Sequence, residues 1–121
     1  TVILSVLNGV DSEQRVIEAY GEDKVLYSYM RVSVVMKDGC TSYDPALGNI
    51  HFGEKLNEEG AYTDRVLAVK EVFDRCGITN IIDPDMIKGI WFKFMWEFLL
   101  GCSERAIMPM QSDGRRWKRW F

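Results

Sequence analysis

The hydrophobic positions change rhythm several times along the chain, and each change marks an element. Thr1 to Leu7 is a nearly continuous β-branched and aliphatic run that stops at Asn8-Gly9, which predicts a strand buried on both faces. Such a strand needs neighbours on both sides, so further elements are expected upstream of it. Asp11 and Gln14 have the spacing of a capping box, and Val16, Ile17 and Tyr20 carry an apolar stripe up to Gly21, which predicts one short helix. Val, Tyr and Leu dominate Lys24 to Lys37, and Asp38-Gly39 separates this stretch from a second extended one around Tyr43 to Gly53. The pair predicts a β-hairpin, with Pro45 and Gly48 making its second arm irregular.

Asn57 to Ala61 is polar and glycine-bearing, and reads as a loop. Val66, Val69, Val72, Phe73 and Cys76 then recur at helical spacing before Gly77, predicting a helix from about Thr63 to Cys76 with a left-handed cap. Ile78 to Ile82 returns to strand character, and Asp83-Pro84 supplies an N-cap with proline at the first helical position. The helix that follows, roughly Pro84 to Leu100, carries apolar side chains on nearly every face. It is therefore expected to be buried almost all round. From Ile90 to Leu100 its charged residues are Lys93 and Glu97, four apart and on one line of the helix surface.

With 121 residues, 47% hydrophobic and 27% charged, the chain has material for one ordinary core. A formal net charge of -3 gives no general attraction to nucleic acid or anionic lipid. No apolar run is long enough to cross a bilayer and no signal-peptide pattern is present, so a cytoplasmic location is the expectation. Cys40, Cys76 and Cys102 are widely spaced, without a Cys-x-x-Cys pair, and His51 is the one histidine. Neither a disulfide framework nor a metal site is expected, and all three thiols read as small buried filler. His51 reads as a strand residue without a role, and Glu54 as the end of that strand near a turn.

Lys93 is the residue with candidate chemistry. Its methylenes could lie along apolar surface while its ammonium reaches water or pairs with Glu97. Equally, an ammonium within a largely apolar helix must be paired, hydrated or shifted in its proton affinity, and such a lysine is a competent general acid.

Four segments, Val-Leu-Asn-Gly-Val at the start, then Gly-Asn-Ile-His-Phe-Gly-Glu, Val-Phe-Asp-Arg-Cys-Gly-Ile and Ile-Trp-Phe-Lys-Phe-Met-Trp, resemble in order and spacing the ketopantoate reductase (2-dehydropantoate 2-reductase) family, from about Val2 to Leu100. The resemblance implies an α+β chain. Residues 1–82 would be the C-terminal part of a Rossmann-like NADPH-binding domain with a β-hairpin. Residues 83–121 would be the start of an all-helical substrate and dimerisation domain, opened by its first long helix and ending in a divergent basic tail. The glycine-rich turn that cradles a dinucleotide pyrophosphate is not in these 121 residues, so the resemblance implies a chain truncated relative to that family. It implies Lys93 as the catalytic proton donor to a ketone, Asn8 and Gly9 beside the nicotinamide of NADPH, and Asn8 and Glu97 at the substrate, a 2-keto acid such as ketopantoate on the pantothenate pathway. Asn8-Gly9 reads equally well as a tight strand-to-helix turn.

Two positions depart from the family pattern, which has asparagines four and eight residues after the lysine where this chain has Glu97 and Gly101. A carboxylate beside Lys93 holds the lysine as ammonium and repels an anionic 2-keto acid, and glycine contributes no side chain. Little or no activity is expected of the chain by itself. After Gly101 the resemblance ends. Met108-Pro109-Met110 and Gly114 are expected to interrupt the helix, and Arg115 to Trp120 interleave basic and aromatic residues, which reads as a solvated or packing tail more than as a contact for an anionic polymer. Beside the reductase reading stands a second one, a non-enzymatic α+β module that self-associates through an exposed strand edge and the apolar helix. Both expect a homo-oligomer and neither expects a nucleic-acid or membrane partner.

Overall fold

Alternation along one strand decides how the molecule is layered. In a computed structural model, which describes residues 1–107 apart from 45 and 47 and only the helical backbone of 100–107, the central strand is β2, Val25–Arg31. Successive side chains of a strand point to opposite faces. Tyr27 and Tyr29 accordingly pack with Met86 and Ile90 in one core cluster, while Leu26 packs with Phe52 and Val66 in another. The sheet therefore has apolar side chains on both faces and needs helices on both.

The elements run β1 (Ile3–Leu4), α1 (Ser12–Tyr20), a 3-10 turn (Glu22–Lys24), β2, β3 (Val34–Lys37), β4 (Cys40–Tyr43), β5 (Asn49–Gly53), α2 (Asp64–Arg75), β6 (Asn80–Ile82) and α3 (Met86–Ile107). Four strands form a mixed sheet in the order β1-β2-β5-β6. The β1-β2 and β5-β6 pairs are parallel and β2-β5 is antiparallel, with Tyr29 opposite His51 and Ser28 opposite Phe52. Helices α1 and α3 lie against β2, and α2 covers the opposite face through Val66, Val69 and Phe73. This is an α+β arrangement of Rossmann-like type, as the resemblance implies.

The predicted hairpin is present as β3 and β4, paired from Val34 opposite Tyr43 to Lys37 opposite Cys40. Its turn is Asp38-Gly39, with φ of 51° and 76°, the left-handed pair that a two-residue hairpin turn requires. Pro45 lies outside the described residues, as do the expected interruption after residue 107 and the basic aromatic tail. At the end of α2, Gly77 has φ 68°, and the Ile78 amide donates to the Phe73 carbonyl at 2.9 Å. That is the expected left-handed cap.

Several expectations are corrected. The strand over Thr1 to Leu7 contracts to Ile3–Leu4 and is not buried on both faces; Val6 and Leu7 are 44% and 66% exposed. Among the described residues β1 has β2 alone as a neighbour, so one edge stays open. The capping box at Asp11 does not form: Asp11 pairs with Arg15 and Gln14 donates to Glu18. Cys40 and Cys76 are exposed, since Cys40 sits on the hairpin that stands off the core and Cys76 at the cap of α2; the Cys102 side chain lies outside the described ones.

The largest correction concerns α3. Met86 and Ile90 are buried, but Phe92, Met95, Phe98 and Leu99 are each at least 58% exposed. Its first two turns rest on β2 and β5, and the rest projects past the sheet. The start is also displaced. Asp85, not Asp83, caps the helix, accepting the Lys88 amide at 2.9 Å. Asp83 is turned inward, where its carboxylate accepts the Tyr29 hydroxyl at 2.6 Å and faces His51 Nδ1 at 2.9 Å.

Candidate active site

The chain leaves β1 at its carboxyl end and must turn sharply into α1. Gly9 absorbs that turn with φ 123°, a region that side-chain-bearing residues rarely enter. Asn8 keeps an ordinary negative φ, so the turn does not require asparagine there. Its amide is instead used at long range: Lys93 Nζ donates to Asn8 Oδ1 at 2.7 Å across 85 residues of sequence.

One turn along α3, Glu97 Oε1 lies 3.2 Å from the same Nζ. The Lys93 side chain is 12% exposed and that of Glu97 47%, so the amine is withdrawn and the carboxylate looks outward. An ammonium has three hydrogens. Two have acceptors in Asn8 and Glu97, which leaves the third for an oxygen in the adjoining cleft. The amine therefore does not point into open solvent, and the structure brings Asn8, Lys93 and Glu97 together.

The cleft that these three residues line holds about 370 Å³. Val6 and Leu7, exposed because β1 ends early, form one wall. Met30, Val32 and Val34, every second residue where β2 passes into β3, form the other. Sequence reasoning singled out none of the five, although the period of two from Met30 to Val34 is a legible sign that they share a side. The location, outside the carboxyl ends of the parallel strands β1 and β2, is where open α/β sheets bind ligands.

A second polar cluster lies beneath the start of α3. Tyr29 and His51 stack with ring centroids 4.4 Å apart, and both hydrogen-bond to Asp83. Burial, and then the Asp83 hydrogen bond and charge, push the Tyr29 hydroxyl well above the ordinary tyrosine range, which keeps it a donor. His51 is thus a strand residue, as expected, tied into a buried network that the sequence does not announce.

The fold and cleft together define a Rossmann-like α+β arrangement with a lysine-asparagine pair at the carboxyl edge of its sheet. No protein-family model matches the sequence and no curated protein matches it. Among solved structures the chain is similar to 2-dehydropantoate 2-reductase from Porphyromonas gingivalis W83, with 24% identity, a TM-score of 0.71, and coverage of 87% of this chain and 36% of that one. It is also similar to 2-dehydropantoate 2-reductase from Methylococcus capsulatus, with 26% identity, a TM-score of 0.57, and coverage of 80% and 30%. These likenesses place the fold, and the chain spans about a third of the length of either structure.

Proposed function

We propose that this chain is part of an NADPH-dependent oxidoreductase that reduces a ketone, of the kind named by its structural neighbours, in which a 2-keto acid such as ketopantoate becomes a 2-hydroxy acid. The observation that carries the reading is the 2.7 Å contact between Lys93 Nζ and Asn8 Oδ1 at the mouth of an apolar cleft. In this reading residues 1–82 end the nucleotide-binding domain and residue 83 opens the helical one.

The residues present fit the nicotinamide end of the cofactor alone. Asn8 and Gly9 stand at the carboxyl edge of the sheet, while no G-x-G-x-x-G for the phosphates occurs in the 121 residues. The phosphates would be held by other residues of such an oxidoreductase, and little or no activity is expected of residues 1–121 by themselves. When bound, NADPH supplies the hydride that the carbonyl carbon receives. Asn8 holds the lysine by accepting one of its hydrogens. Lys93 hydrogen-bonds the substrate oxygen, protonates it as negative charge develops, and recovers its proton from solvent.

Replacement of Lys93 by alanine in the protein as its gene encodes it is expected to lower kcat by about 100-fold or more with NADPH affinity unchanged. Unaltered turnover would remove Lys93 from the mechanism. A second reading, self-association without catalysis, is favoured by the exposed aromatic side chains of α3. On that reading the protein binds no NADPH.

A further inference from the structure

The apolar wall of the cleft does not stop at Val34. Val34 is paired directly with Tyr43 across the hairpin, and Met36 with Thr41. Residues opposite each other on two strands share a face, with Cβ atoms about 4.5–5.5 Å apart, and so do residues two apart on one strand. Because Val34 lines the cleft, Tyr43, Met36 and Thr41 stand on the cleft's side of the hairpin. Val35, Lys37, Ser42 and Cys40 stand on the other.

The two sides differ in chemistry. Val34, Met36 and Tyr43 make the first apolar, whereas a lysine, a serine and a cysteine interrupt the second. All three apolar residues of the first side are at least half exposed, so they contribute little to the core. An exposed apolar patch is a candidate contact surface, and this one continues the stripe of Met30, Val32 and Val34 that walls the cleft. What enters the cleft is therefore what the patch is placed to meet.

Resting on the reductase reading, we infer that this side of the hairpin determines which alkyl group the 2-keto acid carries, with Tyr43 as the specificity-determining residue. With the keto oxygen on Lys93, the alkyl end of the substrate is left to the aliphatic walls. The wall of Val6 and Leu7 ends at Asn8, while the opposite wall runs on into β3 and β4. A longer chain thus buries its added carbons along the hairpin, where each methylene is worth roughly fourfold in binding. The Tyr43 ring offers such a chain a broad apolar face while its hydroxyl stays in water.

The test uses the protein as its gene encodes it, with NADPH, ketopantoate as reference, and the straight-chain series 2-ketobutyrate, 2-ketopentanoate and 2-ketohexanoate. From the shortest to the longest, kcat/KM is expected to rise by about fivefold or more. Tyr43→Ala should reduce that ratio to about twofold or less, and Tyr43→Phe should keep it. Met36→Lys, which sets a charge on the same side, should lower it as well. Val35→Ala, on the other side of the same hairpin, should keep it, which separates a contact from a disturbed hairpin. Calorimetric titration with the 2-hydroxy acid products should give the same ranking without turnover. A flat series, reduction of ketopantoate alone, a ratio that neither Tyr43→Ala nor Met36→Lys lowers, or an equal loss in Val35→Ala overturns the inference and leaves the reductase reading standing. Reduction of none of the four substrates overturns the reductase reading, and the inference with it.

Discussion

A phenol, a carboxylate and an imidazole meet beneath α3 because a residue with no side chain lets them. A Cβ on Gly89 would fall 2.7 Å from Asp83 Oδ2 and 2.9 Å from the Tyr29 hydroxyl. Neither neighbour is free to move, being bonded to each other at 2.6 Å. Gly89→Ala is therefore expected to destabilise the fold by about 1–3 kcal/mol despite alanine's better helix propensity, measurable as a lowered urea midpoint. Tyr29→Phe removes the donor and leaves half of the Asp83 carboxylate unpartnered, costing about 1–3 kcal/mol at neutral pH. The sign with pH follows from the raised value of Tyr29. An unfolded tyrosine ionises near about pH 10, while the folded one stays protonated beyond it. The contribution is complete below that pH and is lost as pH rises above it, so the stability gap between the two proteins should narrow in alkali.

Among the elements, the join between β5, α2 and the 3-10 turn is made by one ion pair. Arg65 grips both carboxylate oxygens of Glu54 through one guanidinium edge, Nε and Nη2, and its Nη1 donates to the Asp23 carbonyl at 2.6 Å. The Arg65 hydrogen bonds hold the Glu54 carboxyl below the usual carboxylate range, against burial and with help from the Thr63 hydroxyl. Its folded value is the lower one. The stabilisation is thus full above about pH 4.3 and is lost as pH falls through the folded value. Glu54→Gln should cost about 1–3 kcal/mol at pH 7, and the difference should vanish in acid denaturation curves. Helices α1 and α2, strand β6 and the Asp38-Gly39 turn were all legible in the sequence, because local periodicity and turn chemistry specify them. Asp83 was not. Its place before Pro84 satisfies the rules for a helix cap, and the competing demand comes from Tyr29 and His51, 54 and 32 residues away. The Lys93-Glu97 line was legible from spacing, whereas the contact with Asn8 came only from the resemblance and the aliphatic walls of the cleft from the folded chain.

What covers α3 decides the association state of the molecule. Phe92 and Trp96 stack with centroids 6.4 Å apart, and Leu99 continues the same stripe one turn on. All three are at least 50% exposed, and an exposed apolar patch is a candidate contact surface. Either a second copy or the remainder of a longer protein can bury it, and the two differ in what substitution does. Lysine at both Trp96 and Leu99 adds charge to the stripe without touching Met86 or Ile90, the residues that anchor α3 to the sheet. If copies pair through α3, residues 1–121 should scatter light above the 14.0 kDa of one chain, and the double variant should return to that mass with its melting profile little changed. If other residues of the same protein cover α3, the double variant should lower the melting temperature of that protein instead, because two charges would then be buried without partners.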